Sequence, residues 1–157
     1  LLEIGTLGGY SSICMGRALP EGGHLISLEY ETHHADIARA NIARAGLAQV
    51  IEVKVGAGLD ILPTLEGPFD FVFIDADKPN NPGYLDWAVR LSRPGTVIIC
   101  DNVVRDGAVT DAQSADPSVI GSRDAIAFLA GHPQLEATAI QTVGVKGYDG
   151  FAMAIVS

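Results

Sequence analysis

The sequence contains no apolar run near the ~20 residues that a membrane span requires, and no secretory signal is visible. It is poor in basic residues, with 10 Lys and Arg against 19 Asp and Glu, for a formal net charge of −9. The pI is about 4.7. A surface without a basic stripe cannot meet a phosphate backbone, so neither nucleic acid nor membrane is an expected partner. Cysteine is scarce: only Cys14 and Cys100 occur, where a secreted disulfide scaffold would carry more. Both sit in apolar company and are expected as buried free thiols. The four histidines lack zinc-site spacing and receive no role. A cytoplasmic location is expected. The chain opens on LLEIGTLGGYSS without an initiator Met, and its first residues already read as strand. An N-terminal segment is therefore expected to precede it.

What the chain does have is apolar material. Hydrophobic residues make up 48% of its 157 positions, enough for one domain over 1–157 with a sizeable core. Strand-like runs alternate with helix-like segments. LLEI, GHLISLEY, VIEVKV, FDFVFI and PGTVIICD read as strands. YSSICMGRALP, THHADIARANIARAGL, GLDILPTLEG and PGYLDWAVRLS read as the helices between them. In the second helix Ala35, Ala38, Ile42 and Ala45 share one face, Thr32 is placed to cap it and Gly46 to stop it. A later helix, PSVIGSRDAIAFLAGH, precedes two closing strands, QLEATAIQ and YDGFAMAIVS. Residues 105–118, rich in Gly, Asp, Ser and Ala, read as a flexible loop. Trp87 reads as core. Alternation of this kind predicts an α/β fold, a mostly parallel sheet with helices on both faces.

Ligands bind such sheets beyond the carboxyl ends of the strands. Here those ends carry the glycine turn GTLGG, then Glu29, GAGLD, Asp75-Ala76-Asp77-Lys78 and Asp101-Asn102. Gly5, Gly8 and Gly9 clear space for a ligand to approach the backbone, but the G-x-G-x-x-G dinucleotide spacing is absent. Glu29 stands where an acid accepts hydrogen bonds from ribose hydroxyls. Asp75, Asp101 and Asn102 offer hard oxygen ligands suited to Mg²⁺ or another divalent cation. Lys78, three residues after Asp75, can serve as a general base beside an apolar wall. Asp77 reads as solvated, and Tyr84 as either site lining or core. These residues describe an enzyme that binds a nucleoside and a divalent cation, without naming the group transferred. A haloacid-dehalogenase-like phosphatase shares the D-x-D after a strand, although Pro79 and the strand order fit it poorly. A nicotinamide oxidoreductase and a non-catalytic nucleoside-binding module also remain open.

The segments LEIGTLGGYSS, LISLEYE, VGAGLDILPTL, DFVFIDADK, VIICDNV and KGYDGFAMAIV occur in an order that resembles the cation-dependent O-methyltransferases, the catechol and caffeoyl-coenzyme A type. The resemblance implies a Rossmann-like S-adenosylmethionine-dependent methyltransferase fold with a seven-stranded sheet whose last strand is antiparallel. It implies that Glu3, Gly5, Gly9 and Ser11 hold the amino-acid portion of S-adenosylmethionine and that Glu29 takes its ribose. Gly56, Ala57 and Gly58 would lie by the adenine, with Asp75 near both donor and metal. It further implies Mg²⁺ on Asp75, Asp101 and Asn102, Lys78 as catalytic base, and a small phenolic acceptor with two neighbouring hydroxyls. A homodimer is the expected assembly. Many bacterial members carry a tyrosine three residues after the lysine, where this chain has Asn81.

Overall fold

The computed structural model describes residues 1–145 and 147–157. They divide into two compact units, Leu1–Glu66 and Gly67–Ser157.

The first unit alternates strand and helix: β1 (Leu2–Ile4), α1 (Tyr10–Ala18), β2 (Leu25–Glu29), α2 (Thr32–Arg44), β3 (Ile51–Val55) and α3 (Gly58–Ile61). Its strands pair in parallel in the order β3-β2-β1, with Leu2 opposite Ile26 and Leu25 opposite Ile51. Leu25, Ile51 and Val53 pack against Ala35, Ala38 and Ile42, the stripe that helical spacing predicts for α2. The helix ends where Gly46 adopts φ 76°, a left-handed position open to glycine. Its start differs from expectation. Thr32 is the first helical residue and Glu31 the N-cap, with no side-chain cap. The N–H of Glu31 itself donates to Glu29 Oε1 at 2.9 Å, which ties the helix start to the end of β2. Cys14 is also a correction, because it is exposed. Helix α1 buries Ser12 and Gly16, four residues apart, and Cys14 between them falls on the opposite side.

The second unit holds β4 (Phe69–Ile74), α4 (Asn81–Arg90), β5 (Ser92–Asp101), α5 (Pro117–Gly131), β6 (Leu135–Gly144) and β7 (Gly147–Val156). The strand order is β4-β5-β7-β6. Strands β4 and β5 run parallel, and β7 is antiparallel to both its neighbours, so the expected antiparallel closing strand is present. Val72, Ile74, Ile98, Cys100, Ala152 and Ala154 alternate onto one face and are buried, while α4 packs on β4 and β5 and α5 packs on α4 and β6. The alternate residues Phe71, Phe73, Val97, Ile99 and Phe151 are only half-buried, while Met153 and Ile155 are exposed. Trp87 is half-buried rather than core, with the Arg90 guanidinium 5.2 Å over its ring. Residues 105–118 are not a structureless loop. They form a 3-10 turn at Arg105–Thr110, and Asp116 then caps α5 by accepting the Ser118 N–H at 2.7 Å. Among the described residues no helix is long and apolar enough to cross a membrane.

Two contacts join the starts of β4 and β5, and burial ranks them. Exposed Asp70 pairs with Arg93 on the surface. Buried Thr96 accepts the Arg93 N–H at 3.0 Å and donates to the Phe69 carbonyl at 2.6 Å. Removing the exposed pair with Asp70→Ala should cost less than about 1 kcal/mol. Thr96→Val strands two backbone groups and should cost about 1–3 kcal/mol. Urea unfolding midpoints test this ranking, and a larger loss for Asp70→Ala would refute it.

Candidate active site

Parallel strands place all their carboxyl ends on one edge, and each unit shows what collects there. In the first unit, Glu3 on β1 has no exposed surface. Its carboxylate accepts hydroxyl donors from Ser11 at 2.5 Å, from Ser27 at 2.5 Å and from Ser12. The Ser27 hydroxyl also bonds that of Thr6 at 2.5 Å. A buried carboxylate needs such donors, because the charge would otherwise be stranded away from water. Ser11 is therefore turned onto Glu3, and together they brace the glycine turn from beneath.

The turn is closed from the side by Glu29. Its Oε2 accepts the Leu7 N–H at 2.7 Å, which holds Leu7 at φ 49°, and its Oε1 accepts the Glu31 N–H. His34 Nδ1 lies 3.6 Å from the same oxygen. Gly5 and Gly9 take φ 101° and 81°, and Gly9 serves as the N-cap of α1 with no side chain to cover the helix start. Gly56, at φ 146°, donates its N–H to the Glu29 carbonyl at 2.9 Å, and Ala57 caps α3 where Gly58 begins it. The residues expected to hold a nucleoside thus meet on one edge. Sequence reasoning does not reach Ser12 and Ser27 as partners of Glu3, nor Thr6 behind Ser27, since Ser27 lies 24 residues away from Glu3 in sequence.

In the second unit, Ile74 is paired with Cys100 across β4 and β5. The next residues, Asp75 and Asp101, therefore leave neighbouring parallel strands side by side. Asp75 is exposed, whereas Lys78 is only 7% exposed and sets its Nζ 3.0 Å from Asp75 Oδ1. Lys78 opens a 3-10 turn, Lys78–Asn80, that lies against α5. The approach is close: a side chain at Gly121 would fall on the Lys78 carbonyl oxygen and come within 2.8 Å of the Pro79 Cα. Asp77 is exposed but not merely solvated. It accepts the Tyr84 hydroxyl at 2.5 Å and the Asn80 amide at 2.6 Å, tying the turn to α4. Burial, then the bond and charge of Asp77, push the Tyr84 phenol well above its usual range. Asn81 is fully buried, and neither its Oδ1 nor its Nδ2 has a hydrogen-bond partner.

Asp101 is half-buried and accepts the Asn102 N–H at 2.7 Å, while Asn102 stands at φ 58°. Burial raises the Asp101 carboxyl above its ordinary value; the Asn102 N–H opposes that, Asp75 adds to it, Lys78 opposes it and Asp149 adds to it. Carboxylates crowded in this way are relieved by a cation. Among the described residues no group of three His, Cys, Asp or Glu is arranged to hold a metal ion. The expected set has two carboxylates and one amide, hard oxygens that fit Mg²⁺ or Ca²⁺ better than zinc. Cys100, beneath this edge, is pushed up to about 12, chiefly by burial. It is a neutral thiol at working pH and a poor nucleophile. Native protein treated with iodoacetamide at pH 8 should therefore take one label, at Cys14, and two only after denaturation. Mass spectrometry reads the count, and rapid native labelling of Cys100 would contradict the burial.

A family model described as O-methyltransferase matches residues 1–153. Catechol O-methyltransferases of Niastella koreensis and Mycobacterium tuberculosis are each 54% identical over 99% of this chain, covering 72% and 71% of their own lengths. An O-methyltransferase from Bacillus cereus, solved in complex with SAH, superposes with a TM-score of 0.97 at 57% identity, over 99% of this chain and 73% of that one. The O-methyltransferase TomG from Streptomyces achromogenes, described as involved in tomaymycin synthesis and solved with SAM, gives 0.96 at 53% identity over 99% and 72%. The fold of these enzymes is the fold of this chain, as the strand and helix order anticipates.

Proposed function

This chain belongs to the O-methyltransferase family, and from that footing we propose that residues 1–157 form a methyltransferase domain acting with a divalent cation on a vicinal diphenol. The donor is S-adenosylmethionine, in keeping with the SAM and SAH bound to the solved relatives. The catechol names of relatives at 54% identity support the acceptor class. One observation carries the reading: Asp75 with Lys78, and Asp101 with Asn102, leave adjacent paired strands.

In the first unit, the glycine turn and the open start of α1 receive the amino-acid portion of the donor. Glu3 and Ser11 shape that turn, and Glu29 presents its remaining acceptor capacity to the ribose. Gly56, Ala57 and Gly58 leave room for a flat base. In the second unit, Asp75, Asp101 and Asn102 would hold Mg²⁺ or a similar cation. Such a cation, when bound, makes a coordinated hydroxyl easier to deprotonate. Lys78, as the free amine, takes the proton from the hydroxyl to be methylated. The proton ends on Nζ, where the Asp75 carboxylate stabilises the ammonium at the observed 3.0 Å. The phenolate oxygen then bonds to the methyl carbon as the carbon–sulfur bond breaks, and the electron pair leaves on sulfur as S-adenosylhomocysteine. The chain's own contribution is mainly alignment.

The protein incubated with S-adenosylmethionine and a panel of vicinal diphenols should yield products heavier by one methyl, and EDTA should remove them. Asp101→Ala should abolish that turnover while leaving S-adenosylhomocysteine binding intact. Methylation that persists in EDTA, or in the variant, would refute the cation assignment. Lys78→Ala should lower kcat by about 10²–10⁴-fold, the usual worth of a general base. A kcat left within a few-fold would move the base role to another group.

A further inference from the structure

The exit from β5 is the most strained backbone in the second unit. Of the described non-glycine residues at positive φ, Asn102, Arg105 and Asp106 cluster here, at 58°, 56° and 53°. Asparagine and aspartate tolerate this region, but arginine has no local side-chain bond to favour it. Such a conformation persists only where surrounding contacts over-determine it.

Those contacts come mostly from the start of β7. A single oxygen, Asp149 Oδ1, accepts three backbone amides: Val104 at 3.1 Å, Arg105 at 3.0 Å and Gly150 at 2.9 Å. Beside it the Val103 N–H donates to the Gly150 carbonyl at 3.0 Å. One residue earlier, the Tyr148 N–H donates to Asp106 Oδ1 at 3.1 Å. From the opposite side Ser122 on α5 donates to the Asn102 carbonyl at 3.2 Å. The segment from Asn102 to Asp106 is thus pinned residue by residue, and Asp149 holds two of its amides at the point where the chain reverses hand. Gly150 permits the approach, because a Cβ there would come within 2.8 Å of Val104 Cγ2 and strike the Ile140 carbonyl.

We propose that Asp149 is a positioning residue: by gathering the amides of Val104 and Arg105, it fixes the left-handed exit of β5 and so aims Asp101 and Asn102 at the cation. The inference rests on the reading of Asp101 and Asn102 as cation ligands. Asp149 acts through where its oxygen sits rather than through its charge. Carboxylate and amide side chains both offer an oxygen to backbone N–H groups at this reach.

The test separates geometry from charge. Asp149→Asn keeps the oxygen and removes the charge; Asp149→Glu keeps the charge and displaces the oxygen by one methylene. Mn²⁺ serves as the probe, titrated without acceptor by calorimetry, with thermal midpoints and S-adenosylhomocysteine affinity as checks on folding. Asp149→Glu should weaken Mn²⁺ binding by about tenfold or more, the usual effect of disturbing groups that orient ligands. Asp149→Asn should stay within about threefold of the parent, since its oxygen can accept the same amides. The inference is overturned if Asp149→Asn loses as much as Asp149→Glu, or if neither changes while Asp101→Ala abolishes binding. Absence of Mn²⁺ binding in the parent, or full binding in Asp101→Ala, would refute the cation reading itself and this inference with it.

Discussion

A parallel ladder gives its strands no choice of exit. Residues placed after β1, β2 and β3 in the first unit, and after β4 and β5 in the second, must emerge on the same edge as their neighbours. The pairing of Ile74 with Cys100 is enough to bring Asp75 beside Asp101, although 26 residues separate them in sequence. Every other feature of the candidate site answers this convergence. Polar groups crowded at the ends of apolar strands must be satisfied locally, or the strands could not stay buried.

The chain meets that demand with the same device four times: a carboxylate placed to receive donors from more than one direction. Glu3 gathers serine hydroxyls, Glu29 the amides of Leu7 and Glu31, Asp77 the Tyr84 hydroxyl and the Asn80 amide, and Asp149 three amides of its own surroundings. Each closes a turn that hydrogen bonding along a helix or strand cannot close. Two of these carboxylates, Glu29 and Asp149, hold non-glycine residues in left-handed conformations. The net charge of −9 therefore reports more than solubility, since part of it is built into turns.

What could be read from the sequence follows from how local each signal was. The strand FDFVFI and its polar exit were legible because alternation and a sudden change to charge lie within ten residues. The stripe of α2 was legible from its spacing. Cys14 was misread because its apolar sequence neighbours hide a helical period that turns it outward. Thr32 does not cap α2 because the helix begins one residue earlier than the spacing suggests, with Glu31 at the N-cap and Thr32 already helical. Residues 105–118 look flexible by composition, yet the Arg105 amide is held by Asp149, 44 residues away, and those of Gly107, Asp111 and Ser118 by oxygens within or beside the stretch. Phosphatase and dehydrogenase alternatives, open on the residues alone, fall to the family match.

Gly121 has a consequence beyond packing. It lies on a helix that supplies no reacting group, yet any side chain there would meet the main chain of Lys78. The placement of the proposed base therefore depends on α5 through a backbone contact, at a residue with nothing to contribute but its smallness. In a mutational survey scored by turnover, this part of α5 would look like active site. Anyone remodelling the enzyme should treat it so, and seek new acceptor specificity on surfaces that do not press on the Lys78 turn.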